Sequence, residues 1–221
     1  MVEFAIDGGN VSAHLALPDG GAAGPGLIVL HPWWGLNEEM KSFADRLAGE
    51  GFVVLAPDLY HGTVVSTIEE ATSQSDALDP GQAVREVGGA VAYLRQRAET
   101  APGAIGVVGF SLGAYFAMWL AENRPADVAA TVLFYGLGNG DCLHTRSAYL
   151  GHFAENDPYE SIETARDVER RLRERRTEAT FHLYPGTGHW FFEADRADAF
   201  NPGAAQLAWE RTLAFLKRHL M

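Results

Sequence analysis

Cysteine is almost missing from this chain: Cys142 is the only thiol in 221 residues. An internal disulfide framework and a Cys-rich zinc site are both excluded. Positive charge is also scarce, with 17 Lys and Arg against 29 Asp and Glu and a formal charge of −12. Nucleic-acid binding needs clustered cations, and so does adhesion to anionic membranes, so neither partner is expected. No apolar run is long and unbroken enough to span a bilayer. The start, "MVEFAIDGGNV", has neither a basic segment nor an apolar one of the signal-peptide kind, which predicts a cytoplasmic protein. Internal repeats and long linkers are absent, so one domain over 1–221 is expected, as a monomer or homodimer. "GGNVSAH" and "GLGNGD" lack the strand–helix setting of a nucleotide fingerprint. "DCLH" reads as a surface loop. Neither cofactor nor metal is predicted.

What is present is an alternation of strands and helices. "VEFAI" and "VSAHLAL" read as short edge strands. "LIVLH", "FVVLA", "AIGVVGF" and "VAATVLFYG" are apolar runs typical of strands buried on both faces. "SAYLGHFA" and "ATFHLYP" extend the set. Between them "EEMKSFADRLAGEG", Val84 to Leu94, "GAYFAMWLAE", "ESIETARDVERRLRERR" and the stretch with Trp209, Leu213, Leu216 and Leu220 carry helical spacing. Residues 58–81 are polar and read as a loop with a short helix. The pattern predicts an α/β fold, a mostly parallel sheet with helices on both faces. Chemistry in such sheets sits at the carboxyl ends of the strands.

Gly109-Phe110-Ser111-Leu112-Gly113 is G-x-S-x-G between a buried strand and a helix. A serine there sits on a sharp turn above the sheet, with the Leu112 amide at a helix N-terminus facing outward. Ser111 as nucleophile needs a base late in the chain, at the end of a strand. "FHLYPGTGHWFFE" supplies His189 after a Pro-Gly turn. His182 lies inside a strand, His144 and His152 come early, and His219 ends the last helix. The acid should follow the preceding strand, where "AENDPYES" offers Asp157, with Glu155 as the alternative. In "LIVLHPWWGLNEE" the Trp33 amide is the second oxyanion donor and Trp34 the fallback. Trp34, Tyr60, Trp190 and Phe191 are candidate pocket residues.

These segments, with "PDLYHG", resemble the dienelactone hydrolase family of the α/β-hydrolase superfamily over nearly the whole chain. The resemblance implies ester or lactone hydrolysis through an acyl-enzyme without cofactor. Ser111, Asp157 and His189 would be the triad, and Trp33 and Leu112 the oxyanion donors. The chain departs from the family's best-studied members in three ways. Ser111 replaces a cysteine, and Pro32 replaces a glutamate of the first loop. The arginines that hold a substrate carboxylate are also missing: Glu193 stands at one position, and no Lys or Arg occurs between Arg46 and Arg85. The expected substrate is therefore a small neutral, apolar ester or lactone. The same residues would serve a thioesterase or acyltransferase. A non-catalytic binding protein on this fold is the alternative from another class, though it would not need all three triad residues.

Overall fold

A computed structural model describes residues 1–221. The chain opens with a hairpin, β1 (Val2–Ile6) and β2 (Gly9–Ala16), joined by the two-residue turn Asp7-Gly8. Asp-Gly suits this connection because a tight hairpin needs positive φ, and Gly8 has φ 105°. The elements β3 (Gly26–Leu30), α1 (Glu38–Gly49), β4 (Val53–Pro57), α2 (Ile68–Ala77) and α3 (Pro80–Gln96) follow. The second half contains β5 (Ile105–Phe110), α4 (Leu112–Asn123), β6 (Val128–Phe134) and β7 (Ala148–Asn156). It ends with α5 (Ile162–Glu174), β8 (Ala179–Gly188) and α6 (Pro202–Leu220).

The eight strands form one sheet in the order β1-β2-β4-β3-β5-β6-β7-β8. β2 pairs antiparallel with both β1 and β4, and every later pairing is parallel. Successive strand residues point to opposite faces, which divides the interior into two cores. Leu27, Val29, Val108 and Val132 pack with Phe43 of α1 and with Trp209 and Leu216 of α6. Ile28, Leu30, Val107 and Leu133 pack with Val91 of α3, Leu120 of α4 and Leu172 of α5. The predicted α/β architecture with helices on both faces is therefore what the chain adopts.

Three details differ from the sequence reading. Only β1 is an edge strand of the opening pair, since β2 lies between β1 and β4. Helix α3 begins at Pro80 rather than near Val84. Asp79 caps it by accepting from the Gly81 and Gln82 amides at 2.8 and 3.2 Å, and Pro80 takes the first helical position, where no N–H is required. The Pro185-Gly186 turn is absorbed into β8, which slips register against β7 near Ala154 and runs on to Gly188. Gly186 makes this irregularity with φ 70°, and its amide donates to Glu155 Oε2 at 2.8 Å.

Candidate active site

Ser111 leaves β5 with φ 47° and ψ −110°, a conformation that L-residues avoid. The turn closes because its flanking residues lack side chains. A methyl added at Gly113 would lie 2.2 Å from the Leu30 carbonyl oxygen and 2.8 Å from that of His31, and one at Gly109 would meet Gly113 itself. The first turn of α4 is thus pressed onto the end of β3. Leu112 opens the helix, so its amide has no intrahelical acceptor. Beyond His31 the chain turns through Pro32, and the Trp33 and Trp34 amides have no backbone acceptor either.

His189 follows β8 directly and reaches both expected partners. Its Nε2 lies 3.0 Å from Ser111 Oγ, and its Nδ1 lies 2.7 Å from Asp157 Oδ2. A carboxylate only accepts, so Nδ1 carries the proton and Nε2 faces the serine hydroxyl as an acceptor. Both side chains are almost completely buried. Asp157 is held in turn, because its Oδ1 accepts from the Tyr159 and Glu160 amides at 2.9 and 3.0 Å. Glu155 has a separate partner, the Gly186 amide, and does not contact the imidazole. The Glu160 carboxyl, half-buried beside Asp157, is pushed up to about 7 by burial and then by the Asp157 charge.

The aromatic residues divide into two groups. Trp33, Trp34 and Trp190 have ring centroids within 5.8 Å of one another. Tyr159 joins them, 5.4 Å from Trp33, 5.3 Å from Trp190 and 5.0 Å from His189, while remaining 50% exposed. Tyr159 was not among the residues picked from sequence, although its place two residues after the acid was a usable signal. Phe191 is fully buried and stacks on Tyr184 at 4.8 Å. Tyr60 is buried against His31 at 5.1 Å, and burial pushes its phenol up to about 12. Phe191 and Tyr60 therefore lie behind the site, and the open rim is formed by Trp33 and Tyr159.

Three further groups support the site in ways that the sequence does not reveal. His31 is fully buried, donates through Nδ1 to the Pro32 carbonyl at 2.7 Å and accepts the Leu59 amide on Nε2 at 3.1 Å. Desolvation lowers its pKa, which keeps it neutral and able to make both bonds. Tyr135 and Glu193 form a buried hydrogen bond of 2.6 Å behind His189. Six non-glycine residues have positive φ, and four of them, His61, Ser111, Tyr135 and Trp190, follow the ends of β4, β5, β6 and β8. Such strain gathers where surrounding contacts hold a site in a set geometry. No cluster of His, Cys, Asp or Glu has the arrangement of a metal site.

The dienelactone hydrolase family model matches residues 11–220. The chain is 32% identical over 231 residues to the protein usf of Aquifex pyrophilus, covering all of this chain and 98% of the relative. It is 32% identical over 226 residues to carboxymethylenebutenolidase of a Pseudomonas species, covering 96% and 91%. A crystal structure of a dienelactone hydrolase-like promiscuous phosphotriesterase from metagenomic libraries superposes with a TM-score of 0.88 at 23% identity, over 100% and 97% of the chains. The match spans nearly every element that builds this site, and on that extent the chain belongs to the dienelactone hydrolase family.

Proposed function

We propose that this chain hydrolyses neutral carboxylic esters or lactones with Ser111 as nucleophile. The carrying observation is the unbroken relay from Ser111 Oγ to His189 Nε2 and from Nδ1 to Asp157 Oδ2, at 3.0 and 2.7 Å. His189 takes the Ser111 proton as Oγ attacks the carbonyl carbon. Negative charge then develops on the carbonyl oxygen, and the Leu112 and Trp33 amides stabilise it. The tetrahedral adduct collapses, His189 returns the proton to the leaving oxygen, and an acyl-Ser111 ester remains. In a lactone the leaving oxygen stays tethered to the acyl group. Water, deprotonated by His189, attacks the acyl-enzyme, and the acid departs as Ser111 regains its proton. Asp157 orients the imidazole and stabilises its cationic form.

The apolar rim of Trp33 and Tyr159, backed by the buried Trp190, accords with a neutral, apolar substrate portion. The nearby cation, Arg196, is already engaged. Its guanidinium carbon lies 3.6 Å from the Trp34 ring centre, and Nη1 donates to the Ser66 carbonyl at 3.0 Å. No helix is long and apolar enough to cross a membrane. The single free Cys142 accords with a reducing, cytoplasmic setting.

The test is labelling with a fluorophosphonate, followed by peptide mapping and an ester and lactone panel. Modification of Ser111, with turnover and labelling both lost in S111A and thermal unfolding near wild type, is the expected result. Labelling at another residue, or turnover retained in S111A, overturns the assignment.

A further inference from the structure

We propose that Glu193 is a positioning residue of this site, acting as a neutral acid that braces Tyr135 against the base His189. Nothing in the triad requires a carboxyl here, yet Glu193 is fully buried and its Oε1 receives the Tyr135 hydroxyl at 2.6 Å. Its other oxygen, Oε2, has no hydrogen-bond partner. A buried carboxylate with a bare oxygen is expensive, whereas the neutral acid leaves only one unpaired O–H.

The consequence runs through Tyr135 into the triad. Tyr135 is fully buried, and its ring centre lies 4.9 Å from that of His189. Its backbone is held at φ 36°, with its amide donating to the His152 carbonyl at 2.8 Å. The next residue, Gly136, packs so closely on the elbow that an added methyl would lie 2.5 Å from the Ser111 carbonyl oxygen. The Tyr135 side chain thus backs the imidazole, and the residue after it, Gly136, backs the nucleophile. The phenol is its polar anchor, and Glu193 is what that anchor holds.

The surroundings decide which protonation state persists. Burial is the largest influence and raises the Glu193 pKa to about 8. The Tyr135 hydrogen bond and the charge of Arg196 oppose that rise, while Asp195 and Glu39 of α1 reinforce it. Tyr135 is itself held well above the ordinary phenol range, first by burial and then by Glu193, so it stays a donor. Both shifts favour the uncharged pair at neutral pH. On ionisation a charge appears in the core behind His189, and the brace must rearrange to solvate it.

The rate measurement rests on the proposed hydrolase activity, and an NMR measurement stands without it. The pH dependence of kcat/KM should fall above pH 8 in wild type by about tenfold per unit, as expected when only the protonated form is productive. E193Q, whose amide oxygen still accepts from Tyr135, should lose that descending limb. E160Q, which removes the neighbouring carboxyl that titrates near 7, should retain it. E193A should lower kcat by about ten- to a hundredfold with a smaller change in KM, as for a displaced catalytic group. In NMR spectra the downfield proton of the His189–Asp157 hydrogen bond should shift or broaden between pH 7 and 9 in wild type but not in E193Q. The proposal is overturned if wild type and E193Q share one alkaline profile, or if the downfield proton responds alike in both. If no ester or lactone is turned over, the hydrolase reading fails, and the NMR comparison alone decides the role of Glu193.

Discussion

Asp157 and Glu155 lie two residues apart on the same loop, and their partners separate them. Asp157 meets the His189 imidazole at 2.7 Å, while Glu155 spends its carboxylate on the Gly186 amide. Asp157→Asn should therefore lower kcat by on the order of 10³–10⁴-fold, because an amide in that place selects the wrong imidazole tautomer. Glu155→Gln keeps an acceptor for Gly186 and should stay within about threefold of wild type, a local contact with little leverage. Steady-state kinetics on one ester decides the order, and a larger loss in Glu155→Gln would reassign the acid. A second prediction concerns stability. The folded pKa of Glu193, about 8, lies above its ordinary value of 4.5. The folded state then binds a proton that the unfolded state has lost, so this contribution is complete below pH 4.5 and disappears as pH rises to 8. Wild-type Tm should thus drop more between pH 5 and 8.5 than the Tm of Glu193→Gln. Calorimetry at both pH values gives the comparison, and equal drops would count against a neutral Glu193. Sequence could identify Asp157 as an acid candidate, but not the inward turn of Glu193, since the letters do not say what a side chain faces.

At the scale of elements, the elbow and the first loop share one joint, the contact of α4 with the end of β3. Gly113→Ala would drive a methyl against the Leu30 carbonyl, which cannot withdraw from its strand. We expect a loss of about 3 kcal/mol or more, roughly 6–12 °C in Tm, read by thermal unfolding. His31 secures the other side of the joint. His31→Phe strands the Leu59 amide, at about 1–3 kcal/mol for a buried group left unpaired, and leaves the Pro32 carbonyl with the Gly35 amide alone. On the proposed mechanism it should also lower kcat more than it alters KM, because the Trp33 amide would act on charge that develops in the transition state. A purely structural His31 would lower Tm and leave kcat of the folded fraction intact. The strand–turn–helix order and the glycine spacing were legible because they follow from local conformation. The His31 bridge was not, since it joins residues from two different strand ends.

For the whole molecule, the charge of −12 and the lack of any Lys or Arg between Arg46 and Arg85 point the same way. A substrate carboxylate would meet an unfavourable field and an Arg196 that is already occupied by Trp34 and Ser66. A neutral aryl ester should therefore surpass a matched ester with a free carboxylate in kcat/KM, and added salt should narrow the difference by screening repulsion. If the carboxylate ester is preferred and salt weakens it, Arg196 or another cation serves the site. Arg196→Gln then provides the check, with the carboxylate ester losing more than the neutral one.

The sequence by itself determined the alternation of strands and helices, and with it a mostly parallel sheet whose carboxyl ends hold Ser111, Asp157 and His189. Hydrophobic period and glycine placement are local properties, legible one segment at a time. It also singled out Ser111, Asp157 and His189 in the order in which the structure brings them together. Tertiary structure alone decided what surrounds them. It put β2 inside the sheet, carried β8 past its Pro-Gly pair, sent Phe191 into the core and Tyr159 to the rim, and buried Glu193 against Tyr135. Each of those outcomes depends on partners distant in the chain, and the free energy of burial belongs to the assembled contacts rather than to any residue read singly.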